Sequence, residues 1–73
     1  MRITFDPDAD AAYIQLVDHI PAGGAPRQEI CDVELPGAAV ILDFSPEDML
    51  IGIEVLGASR ILPEGLLKEA TLR

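Results

Sequence analysis

Three aspartates, Asp6, Asp8 and Asp10, occupy alternate positions near the start of the chain. An EF-hand loop begins to wrap a calcium ion with this spacing, but it also needs a glycine at its sixth position and a bidentate glutamate at its twelfth. Here those positions hold Ala11 and Val17. Proline fixes φ at Pro7, and aspartates bond back to neighbouring amides, so the cluster reads as a turn; an adventitious cation site is the alternative. Asp43 and Glu54 form a second carboxylate set, of a type that can exchange protons or hold a divalent ion. Asp43 is expected to start the turn after it by accepting backbone amides. Glu54 is expected to pair with an arginine, either Arg60 or one from a second subunit. His19 and Cys31 are the only imidazole and thiol, so a nucleophilic pair would need both. His19 lies in a Pro/Gly-rich stretch and Cys31 in an alternating one, which suits an inert, buried cysteine. Ser45 and Ser59 suit turn and cap positions. Gly23-Gly24 has no following lysine and no strand-to-helix setting, so it is not a phosphate loop. No catalytic or metal site and no cofactor is expected from these residues.

The elements that must position them follow from hydrophobic periodicity. Arg2 to Phe5 alternates, the aspartate turn follows, and Ala11 to Val17 alternates again, which predicts a hairpin. A helix over Asp10 to Val17, capped by Asp10, is the competing reading. Asp18 to Pro26 is a loop. Arg27 to Glu34 alternates with many polar residues and suits an edge strand. After the Leu35-Pro36-Gly37 corner, Ala38 to Phe44 and Met49 to Leu56 form a second hairpin around Ser45-Pro46-Glu47-Asp48, with Asp48 suited to a left-handed conformation.

Pairing Phe44 with Met49, Leu42 with Ile51 and Val40 with Ile53 puts these six side chains on a core face. The other face then carries Ala39, Ile41, Asp43, Leu50, Gly52 and Glu54. Gly52 marks a bulge or admits a close approach by another group. The tail, with Leu62, Leu66, Leu67 and Ala70, predicts a short amphipathic helix with Pro63 in its first turn.

Composition narrows the function classes. At 73 residues the chain is expected to be a single domain, residues 1–73, with a small aliphatic core, since its aromatics are only Phe5, Tyr13 and Phe44. One cysteine cannot form an internal disulfide, which points to self-association, and a homodimer is expected to cover the second sheet face. Thirteen acids against five bases give a net charge of -8, and the scattered bases make no patch for nucleic acid or an anionic membrane. The segment MRITFDPDAD has acids where a secretory leader would be apolar. A lone thiol suits a reducing compartment, so a cytoplasmic location is expected.

The motif order FDPDADAAYIQL followed by LDFSPEDMLIGIEVLGAS resembles the small bacterial proteins grouped as domain of unknown function 2283. Phe5, Asp6, Asp10, Tyr13 and Ile14 carry the first motif; Asp43, Gly52, Ile53, Glu54 and Leu56 carry the second. Phe5 stands where tyrosine is usual, and Asp48 where the turn glycine is usual. The resemblance reaches to about Ser59 and implies a compact sheet-rich domain without an assigned activity. Some relatives are similar to members of toxin-antitoxin gene pairs, which implies a small protein partner.

The sequence therefore predicts an α+β domain, an antiparallel meander sheet of four to five strands with a short C-terminal helix. Its expected role is that of a non-enzymatic acidic interaction module binding through Ile41, Asp43, Leu50, Gly52 and Glu54. The alternative is a metal-binding protein or hydrolase-like enzyme using Asp6, Asp10, Asp43 and Glu54.

Overall fold

The alternating segments become strands in the computed structural model, which describes residues 1–73. In chain order they are β1 (Arg2–Asp6), β2 (Ala11–Gln15), β3 (Arg27–Cys31), β4 (Ala39–Phe44) and β5 (Leu50–Leu56). Two helices follow, α1 (Ala58–Ile61) and α2 (Glu64–Glu69), and then the short β6 (Thr71–Leu72). The residues after Asp10 are thus a strand; the helix considered there does not form. The α+β class stands, with more strands and a different topology from the one expected.

The sheet has six strands in the order β3-β4-β5-β2-β1-β6. It is not a meander, because residues 16–26 carry the chain from β2 to the far edge. The return through β4 then places β5 in the gap between β4 and β2, antiparallel to both. β5 reads LIGIEVL, the most apolar strand, and occupies the middle, while the polar β3 takes an edge. The sheet is also mixed rather than antiparallel, because β6 pairs parallel to β1 and the Arg73 amide donates to the Phe5 carbonyl.

The tail forms two helices instead of one, and proline is the reason. Leu62 precedes Pro63 and is extended, at φ -91° and ψ 143°, because the proline ring disfavours the helical conformation for the residue before it. α1 starts directly after β5 at Gly57, whose φ is +67°. A Cβ there would stand 2.4 Å from the Gly37 carbonyl oxygen, so only glycine makes this corner without displacing the 35–37 turn.

The core lies on the face carrying α1 and α2. Ala12, Val55 and Ala58 are buried there, packed by Phe5, Ile53, Ile61, Leu62 and Leu67. Burying a valine such as Val55 stabilises the fold by roughly 1.5–3 kcal/mol. Only eight of the 73 residues are buried, so each of these contacts is a large share of a small total. No helix is long and apolar enough to cross a membrane.

The register of the β4–β5 hairpin differs from the expected one. Val40 pairs with Val55 and Leu42 with Ile53, then a bulge lets Phe44 pair with Leu50. Ile51 is left over at the bulge and is buried, whereas Met49 is 65% exposed and does not join the core row. Ser45 explains the difference. Its hydroxyl accepts the Glu47 and Met49 amides at 3.3 and 3.2 Å, and its own amide donates to the Met49 carbonyl at 2.8 Å. Met49 is thereby held in the turn, with Asp48 at φ +63° before it.

Candidate functional site

Strand pleating sends alternate side chains to opposite faces, and no helix packs on the face opposite the core. Two rows of that bare face follow from the register. One runs Arg2, Gln15, Gly52, Asp43, Gln28, and the next runs Thr4, Tyr13, Glu54, Ile41, Ile30.

Tyr13 links the rows. Its ring lies over Gly52, so closely that a Cβ on Gly52 would be 1.8 Å from the phenolic oxygen. Its hydroxyl donates to Asp43 Oδ2 at 2.8 Å, while the Gln28 amide donates to Asp43 Oδ1, also at 2.8 Å. Asp43 is 7% exposed, and these two bonds satisfy both oxygens of a carboxylate that would otherwise be costly to bury.

The electrostatics fix the direction of the proton. The Tyr13 phenol is held well above the usual tyrosine value, first by burial, then by its hydrogen bond to Asp43, and further by the negative charges of Asp43 and Glu54. Tyr13 is therefore a neutral donor at physiological pH and not an activated nucleophile. The Glu54 carboxylate, beside it, takes part in no hydrogen bond or ion pair within the chain. Its expected partner Arg60 instead donates to the Pro36 carbonyl. Asp43 likewise does not start the turn; Ser45 does, and Asp43 faces Tyr13 and Gln28.

The other carboxylates considered for chemistry are separated from this pair. Asp6 Oδ1 accepts the Asp8 and Ala9 amides, which is the turn role expected of it. Asp10, at φ +51°, accepts the Ser59 amide at 2.9 Å and the Ser59 hydroxyl at 2.7 Å, tying the β1–β2 turn to the start of α1. No three His, Cys, Asp or Glu side chains stand close enough to share a metal ion. His19 lies in the 16–26 loop, and Cys31, a free thiol, lies at the end of β3.

Of the five residues expected to bind a partner, Ile41, Asp43, Gly52 and Glu54 share the bare face. Leu50 leaves that row at the bulge, where it pairs with Phe44. Tyr13 and Gln28 were not in the expected set. A mid-strand glycine that admits a close neighbour was the available signal for Tyr13, and it needed the β2–β5 pairing to name the neighbour. Nothing local marks Gln28, because its role depends on β3 lying next to β4.

A family model described as "Protein of unknown function (DUF2283)" matches residues 2–59. The match thus contains every bare-face residue named above and ends before α2. No curated protein and no solved structure matches the chain.

Proposed function

The chain belongs to the DUF2283 family of proteins of unknown function, and from that premise we propose that it is a non-enzymatic, acidic protein-interaction module acting through the bare face of its sheet. The observation that carries this reading is the mixture on that face. A satisfied Tyr13–Asp43–Gln28 cluster stands beside an unpartnered Glu54, with half-buried Ile41 and the exposed Leu56 and Ile30 next to it. An aromatic side chain with satisfied polar partners, flanked by exposed aliphatic ones, has the make-up of an interface patch. The net charge of -8 favours a basic partner and speeds its encounter. The product of a neighbouring gene, neutralised by this chain, is the partner the reading favours. Binding of that product to the unaltered chain and to an Ile41→Asp/Glu54→Lys variant tests it. Affinity should fall by at least about tenfold in the variant, and equal affinity would reject the face as the contact.

A second reading is a homodimer over the same face, favoured by the small core: of the eight buried residues in the chain only five are apolar. Light scattering at micromolar concentration decides it: a mass of two chains supports the dimer, and a monodisperse monomer removes it.

A further inference from the structure

We infer that the outer edge of β3 is a strand-addition site for an extended, basic segment of the partner, an inference that rests on the chain being an interaction module. The sheet has two edges. β6 closes one with only two residues, whereas β3 offers five residues, four of them exposed, and no element lies beyond it. An edge of this length is a template for another strand unless charge, proline or a cover blunts it.

Ile30 shows that this edge is not blunted on the bare face. It stands mid-strand, 75% exposed, opposite Ile41 and one row from Leu56. Its cross-strand neighbour Ile41 covers only part of it and leaves most of the side chain to solvent. Arg27 holds the strand's start in place: it bonds Glu29 at 2.7 Å and Asp48 at 3.1 Å, with its guanidinium 4.0 Å from the centre of the Phe44 ring. It is the one base in β3; Glu29 and Asp48 hold it, and Asp32 and Glu34 follow the strand's other end.

That balance selects the occupant. A second copy would bring another charge of -8 to the same place, and a five-residue ladder falls short of the ~1,200 Å² of a stable interface. A basic segment is attracted instead. In an antiparallel added strand, the residue opposite Ile30 faces the bare side and packs on Ile30. The residues on either side of it face the helix side, opposite Glu29 and Cys31. The segment that fits therefore places an apolar residue opposite Ile30 and a basic one opposite Glu29, as an alternation of apolar and basic residues does.

The test uses labelled peptides of about nine residues, enough for one strand, followed by fluorescence anisotropy on the full chain. A peptide alternating valine and lysine should bind at least about tenfold more tightly than one of equal charge with prolines for valines, or one alternating valine and glutamate. It should slow amide exchange in Arg27–Cys31, and Ile30→Glu should weaken it by a similar factor without changing the melting temperature. Equal binding of the proline peptide would overturn the proposal in favour of charge attraction alone. Protection confined to other strands would also overturn it. So would protection of β3 that rises with protein concentration before any peptide is added, because the occupant would then be a second copy. The peptide comparison on the unaltered chain decides the matter if the variant does not fold. A protein partner still held through the bare face by Ile30→Glu would refute the edge site while leaving the module reading intact.

Discussion

The two faces of the sheet are built by opposite means. The covered face is apolar and shaped by small residues: Ala12 and Ala58, both fully buried, let α1 come down onto Val55. The bare face is shaped by a glycine, over which Tyr13 reaches Asp43. Apolar packing of the first kind stabilises in proportion to area and tolerates alternatives. A buried hydrogen-bonded cluster of the second kind adds little net stability but admits one arrangement of its members. The bare face is thus organised to hold a particular shape and charge pattern, whereas the covered face holds the fold together.

Substitutions can break this division, and the largest effect is expected where the two faces share a strand. Gly52→Ala should cost about 3 kcal/mol, at the top of the overpacking range, because its Cβ would overlap the Tyr13 side chain. Adding Tyr13→Ala should recover much of that loss in chemical denaturation, and independent losses would contradict the contact. Val55→Ala, on the covered face, should cost about 2 kcal/mol for the lost methyl groups and the cavity left behind, while leaving partner affinity unchanged.

Tyr13→Phe should cost about 1.5 kcal/mol by removing one of the two donors to Asp43. It also makes a pH prediction with a definite sign. The folded phenol titrates above its ordinary value of 10.0, so above pH 10 the unfolded chain releases this proton first and stability falls as pH rises toward the folded value. Below pH 10 the group contributes no slope. Tyr13 is the only tyrosine, so denaturation at pH 9 and pH 11 should show the loss in the unaltered chain and a smaller one in Tyr13→Phe. The smallest of these effects is expected at Asp10. Asp10→Ala should cost about 1 kcal/mol, the value of a lost helix cap, measured as a lower melting temperature with the bare face undisturbed.

The sequence made the strands legible because their alternation is local, and it also identified Asp6 as a turn residue and Asp48 as left-handed. Which strands adjoin was not legible. Nothing local says that β5 returns between β4 and β2, since its apolar residues would fit a meander equally well. Met49 was placed in the core by counting back across an assumed tight turn, and the wider turn closed by Ser45 together with the bulge at Ile51 moved every pair. The same limit applies to the site. Asp43, Gly52 and Glu54 were visible as an unusual outer row, but Tyr13 and Gln28 reach Asp43 from strands 30 and 15 residues away in sequence. The four-residue spacing of Leu62, Leu66 and Ala70 marked the tail correctly as helical, and the break before Pro63 follows from the proline.

The bare face is the proposed contact surface. The most direct test is a titration of isotope-labelled chain with the neighbouring gene's product, followed by backbone amide shifts. Shifts clustered at Tyr13, Ile41, Asp43, Gly52 and Glu54 are expected. Shifts confined to α1 and α2, or none at saturating concentration, would contradict the proposed surface.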